Sequence, residues 1–92
     1  MREQVIEAAL RDGVRWRGGI AYKFVSPGNV GVPDRLVLWP GGRVQFVELK
    51  APGGKLSKMQ TRQIERLEAL GFPVSVLSSK KDVQRFLDSR EG

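Results

Sequence analysis

Two strand-like runs around one tight break constrain this chain more than any other feature. Residues 32–39 and 43–49 are rich in β-branched and aliphatic side chains, and Pro40-Gly41-Gly42 lies between them. Such a pattern predicts an antiparallel β-hairpin with a three-residue loop. Trp39 then faces Arg43, Leu38 faces Val44, Leu36 faces Phe46, and Asp34 faces Glu48. Opposed residues share a face and alternate residues return to it, so Asp34, Leu36, Leu38, Val44, Phe46, Glu48 and Lys50 line one side. Most of that side is apolar and is expected to face inward. Two carboxylates and an ammonium occupy its far end. A slip of one residue would send the whole set to the other face.

Carboxylates opposed across strands, with Cβ atoms ~5 Å apart, repel unless a cation lies between them. Mg²⁺ suits such a gap because it takes one or two carboxylate oxygens and keeps several waters. Lys50, two residues beyond Glu48, points the same way on an extended strand. It could orient an attacking water or offset charge on a phosphoryl group. Glu48-Leu49-Lys50 alone is an ordinary strand end; its pairing with Pro33-Asp34 across the hairpin makes it a candidate site.

The rest of the chain supplies a frame. Val5, Ile6, Ala9 and Leu10 form a helical stripe over residues 3–11 that is expected to stop before Gly13. Gly18-Gly19 opens a strand over 20–25, followed by the turn Ser26-Pro27-Gly28-Asn29. Ser57-x-x-Gln60 reads as a capping box for a helix reaching Leu70 and ending at Gly71. Within it Met59, Ile64, Leu67 and Leu70 form the expected buried stripe, with Gln60 and Gln63 falling inside it. A strand over 72–77 follows, and Ser79-x-x-Asp82 opens a last helix that packs Val83, Phe86 and Leu87. The order is α-β-β-β-α-β-α. It implies an α/β fold with a mixed central sheet flanked by helices, in one domain spanning residues 1–92.

Composition narrows the chemistry. The chain has no Cys and no His, which excludes disulfides, cysteine zinc sites, histidine general bases and imidazole ligands. Hydrolysis would have to run on carboxylates, lysine and a hard metal ion. Sixteen Lys and Arg against ten Asp and Glu leave a net charge of +6. That surplus suits phosphates, although it could also merely solubilise. No apolar stretch approaches the ~20 residues that span a bilayer. The opening Met-Arg-Glu-Gln lacks an apolar signal core, so a cytoplasmic location is expected.

Three blocks occur in order: Gly31-Val32-Pro33-Asp34-Arg35, Phe46-Val47-Glu48-Leu49-Lys50-Ala51-Pro52 and Lys55-Leu56-Ser57-x-x-Gln60. They resemble the virus-type replication-repair nuclease (VRR-NUC) domain of the PD-(D/E)XK superfamily, over residues 3–78. The resemblance implies a restriction-endonuclease-like core. It also implies a divalent ion, Mg²⁺ or Mn²⁺, held by Asp34, Glu48 and the backbone carbonyl of Leu49. A first-helix glutamate completes such a site through water. Glu3 precedes Ile6 as in the family's Glu-x-x-Ile and lies nearer the buried face than Glu7, so it is preferred, although the helix dipole alone also favours an acid there. Gln60 matches the family's glutamine. It could reach the catalytic centre, or it could simply close the capping box on Ser57.

The implied activity is hydrolysis of phosphodiester bonds in branched, Holliday-junction-like DNA by a homodimer, in a bacterial or phage-infected cell. A non-catalytic nucleic-acid-binding module on the same fold is the alternative, and a purely structural or protein-interaction domain a third reading. Lys23, Arg35, Lys55 and Lys58 lie near the site in sequence and are candidate phosphate contacts, each of which could equally be a solvated charge. Arg15, Arg17, Lys80 and Lys81 lie further off. Trp16 and Trp39 could stack on bases, but core or dimer packing is the expectation for both.

Overall fold

A computed structural model describes residues 2–89. The elements follow the expected order: α1 (Glu3–Trp16), β1 (Ile20–Lys23), β2 (Arg35–Trp39), β3 (Arg43–Leu49), α2 (Lys58–Ala69), β4 (Val74–Leu77) and α3 (Lys80–Ser89). The four strands form one sheet in the order β1-β2-β3-β4. The first two pairings are antiparallel, and β3 and β4 run parallel through the α2 crossover, so the sheet is mixed as expected. In the hairpin Trp39 faces Arg43, Leu38 faces Val44 and Leu36 faces Phe46. That is the register expected from the turn. No described helix is long and apolar enough to cross a membrane.

The first helix runs longer than its sequence suggests. It passes through Gly13, where a methyl group would lie 2.4 Å from the Leu87 side chain; the glycine allows α1 and α3 to approach rather than ending the helix. The stop comes at Gly18, with φ at +86°. There the Gly18 N–H donates to Arg15 O and the Gly19 N–H to Val14 O, both at 3.0 Å. This is the paired bonding of a Schellman motif. Gly18-Gly19 therefore closes a helix as well as preceding a strand.

The main correction concerns which face of the sheet is innermost. Ile6, Leu10 and Val14 of α1, with Val83, Phe86 and Leu87 of α3, pack against Val37, Trp39, Val47, Leu49 and Leu77. The deep core is thus on the side opposite Leu36, Leu38, Phe46 and Glu48. Both faces of the hairpin are apolar, and two amphipathic helices cover one of them. Of the described helices the other receives α2 alone, which has no fully buried residue. Within the stripe expected to be buried there, Met59 and Leu70 are exposed and Ile64 and Leu67 are half-buried. An edge-to-face aromatic row fills part of this second layer, with Phe46 6.1 Å from both Phe24 and Phe72. The two tryptophans divide: Trp39 is buried beside Phe86, whereas Trp16 is 87% exposed and outside the core.

Candidate active site

Asp34 precedes β2 at a bend, one position outside the hydrogen-bonded ladder. Its carbonyl accepts the Phe24 N–H at 2.8 Å. Its Oδ1 accepts the Leu49 N–H at 3.0 Å. The aspartate is thereby tied to β3 beside Glu48, through a backbone donor that the sequence pattern did not single out.

Glu48 ends the α2-facing row of β3 and is only 4% exposed. Its Oε2 lies 4.0 Å from Lys50 Nζ and accepts a hydrogen bond from Gln60 Nε2 at 3.2 Å. Burial, then the charge of Asp34, push its carboxyl up to about 7 from 4.5; Lys50 and a hydrogen bond with the Asp34 backbone oppose the rise, and Glu3 adds slightly to it. Burial and a like charge outweigh the nearby Lys50 ammonium here, so the ionised form of Glu48 is disfavoured.

Gln60 fills both roles that its sequence position left open. Its Oε1 accepts the Ser57 N–H at 2.8 Å, and its N–H donates to Ser57 Oγ at 3.1 Å. The other end of the same amide reaches Glu48. Gly31 secures this end of α2: at φ +88°, a Cβ there would lie 2.6 Å from the Met59 backbone. Gln63 adds a bond to Val30 O at 3.1 Å. The block containing Gly31 was visible in the sequence; that it abuts the start of α2 was not.

Asp34 and Glu48 fit a hard divalent ion by the chemistry of the donors: two carboxylates, one buried and reluctant to ionise, with the Leu49 carbonyl next along the chain. Among the described residues no group of three or more acids is close enough to hold a metal by side chains alone. Glu3 is exposed but within electrostatic reach of Glu48, which suits a contact through water rather than a direct ligand. Glu7 instead pairs with Arg11 at 3.0 Å.

The basic candidates separate. Lys23, Lys55 and Lys58 are exposed. Arg35 is only 9% exposed and turned to the α1 side of the sheet. Among the more distant cations, Arg17 bonds Gly13 O and lies 3.7 Å from Asp88.

The VRR-NUC domain model matches residues 6–81 of this chain. The chain belongs to the VRR-NUC family. A solved VRR-NUC domain superposes with a TM-score of 0.87 at 31% identity, covering 94% of each chain. The chain is also 58% identical over 80 residues to p44 of Acyrthosiphon pisum secondary endosymbiont phage 1, a protein whose name offers it as a candidate nuclease; the match covers 87% of this chain and 86% of p44. In this VRR-NUC domain the matched span contains Asp34, Glu48, Lys50 and Gln60, while Glu3 lies before it.

Proposed function

We propose that this nuclease domain is a metal-dependent endonuclease that hydrolyses phosphodiester bonds of branched DNA, with Asp34, Glu48 and the Leu49 carbonyl as ligands for Mg²⁺ or Mn²⁺. The observation that carries the reading is a buried glutamate, raised to about 7, beside a second carboxylate and a lysine. A divalent cation held by these carboxylates would offset that charge conflict. Such an ion would polarise the phosphoryl group and lower the pKa of a bound water. The chain's own groups do the positioning. The Leu49 N–H holds Asp34 and Gln60 holds Glu48. Lys50 orients the attacking water or offsets charge developing on the phosphoryl oxygens. Glu3 acts through water at the margin, and Lys23, Lys55 and Lys58 contact flanking phosphates without reading sequence.

Branched DNA is the substrate implied by the resemblance, and a homodimer suits it because a two-fold axis presents two sites to two strands. The α2 side of the sheet supports pairing: Ile20, Tyr22, Val44 and Val76 share that face and remain exposed, with Leu70 and Phe72 nearby also exposed. A labelled four-way junction and a linear duplex, each incubated with Mg²⁺, Mn²⁺ or EDTA, test the reading. We expect metal-dependent cutting of the junction and none by Asp34→Ala. Equal cutting by that variant would remove this site from the reaction, and preference for the linear duplex would remove the branched substrate.

A further inference from the structure

We propose that Arg35 is a positioning residue for Asp34 rather than a contact to nucleic-acid phosphate, an inference that rests on the metal site proposed above. Arg35 follows Asp34 in sequence, but strand alternation sends its side chain to the opposite, α1-facing side. There it lies directly across from Lys23 on β1 and Val47 on β3. From that side the guanidinium turns back on its neighbour. Nη1 donates to Asp34 O at 2.8 Å and lies 3.6 Å from Asp34 Oδ2. Since Oδ1 already accepts the Leu49 N–H, the two carboxylate oxygens are engaged from two directions. The carbonyl of the same residue is held by Phe24 N–H and Arg35 together.

This placement is unfavourable for stability taken alone. Val37 and Val47 on the same face are fully buried, so an apolar residue would suit position 35. Instead a cation is buried there with its Nε lacking a hydrogen-bond partner among the described residues, and it directly opposes Lys23. An orphaned buried donor and opposed like charges both oppose folding. Orientation of Asp34 is what the arrangement provides. A planar guanidinium can grip a carbonyl and a carboxylate at once, which a lysine ammonium on a flexible stem does less well. Arg35 also lines a cavity of about 310 Å³ under the start of α1 with Glu3, Gln4, Glu7 and Lys23. Its charge therefore shares that cavity with two acids of the first helix while its guanidinium contacts Asp34. Residues that hold a metal ligand in this way typically change metal affinity 10–100-fold when lost.

Mn²⁺ binding to the whole chain, followed by the electron paramagnetic resonance signal of the free ion, separates this role from phosphate contact. DNA binding in EDTA is measured in parallel over a range of salt. For Arg35→Gln we expect Mn²⁺ affinity to fall roughly 10–100-fold with the salt slope of DNA binding unchanged. Arg35→Lys should restore part of the metal affinity. Lys23→Gln should behave oppositely, keeping Mn²⁺ affinity and losing about 0.9 from the slope. Wild-type Mn²⁺ affinity in Arg35→Gln, or a slope reduced by about 0.9 in that variant, would overturn the assignment. If Arg35→Gln does not fold in a thermal melt, Arg35→Lys decides: several-fold weaker Mn²⁺ binding is expected, and undiminished binding overturns the proposal. Absence of Mn²⁺ binding by the wild-type chain would sink the metal site and this inference together. Wild-type binding that is abolished in Asp34→Ala and intact in both Arg35 variants would sink this inference alone.

Discussion

The two faces of the sheet do different work. On the α1/α3 side, eleven apolar side chains among the described residues form a core in which Ile6, Val14, Val37 and Val47 have no exposed surface. On the α2 side, the helix buries no residue fully, and the packed layer gives way at one end to Glu48, Lys50 and Gln60. A buried carboxylate near a second one cannot be sustained in a fully dry layer, and a site must also admit water and substrate. Apolar burial is concentrated on the α1/α3 face, where Arg35 at the start of β2 is the buried charge among the described residues, and the buried carboxylate lies on the α2 face. Asp34 joins them: its side chain bonds β3 beside Glu48, while its carbonyl is gripped by Arg35 from the core side.

The largest effect expected from breaking this division is on rate. Asp34→Ala should lower junction cleavage by about 10³-fold or more, because a bound metal supplies several kcal/mol and each 1.36 kcal/mol is tenfold. The melting temperature should change only modestly, since relief of the repulsion with Glu48 is offset by loss of the acceptor for the buried Leu49 N–H and of the carboxylate facing Arg35; a gel assay beside a thermal melt reads both. On the other face Leu10→Ala should cost about 2–5 kcal/mol in urea unfolding, while activity per folded molecule at low temperature stays at the wild-type level. A loss of activity there without loss of stability would erase the distinction between the faces.

Glu48 gives the comparison a pH signature. Below about 4.5 its side chain is neutral in both folded and unfolded chains, and above about 7 it is ionised in both. Between these values the unfolded chain ionises first, so stability without metal should fall as pH rises, by on the order of 3 kcal/mol. Glu48→Gln should flatten that part of the curve, and Mg²⁺ or Mn²⁺ should restore stability at the alkaline end. Smaller still, Ser57→Ala removes the α2 cap for about 1 kcal/mol. Cleavage should stay close to the wild-type rate, because the Gln60 amide that reaches Glu48 is anchored on the Ser57 backbone N–H, which alanine keeps. Val76→Lys on the exposed side should change stability by less than about 0.5 kcal/mol yet shift a dimer to monomer in light scattering.

The hairpin register was legible because a period of two and a Pro-Gly-Gly break leave few alternatives, and with it came the approach of Asp34 to Glu48. The ends of α1 were not. Gly13 looks like a stop until Leu87 is seen packing against it, and Gly18-Gly19 looks like a strand opening until their N–H groups are found bonding back to Arg15 and Val14. Gln60 shows the same limit: two roles could be read at its position, but that one amide performs both depends on where α2 sits.

Local pattern alone determined the order of elements, the hairpin register, the absence of histidine and cysteine chemistry, and the placing of Asp34, Glu48 and Lys50 together as a candidate site. Those follow from chain geometry and side-chain identity within a few residues. Only the tertiary structure decided which sheet face became the core, that the Leu49 amide holds Asp34, and that Arg35 is buried and bonds back to Asp34. A strand that is apolar on both sides does not say which side two helices will choose, and hydrogen bonds between residues fifteen apart in the chain exist only once packing has brought them together.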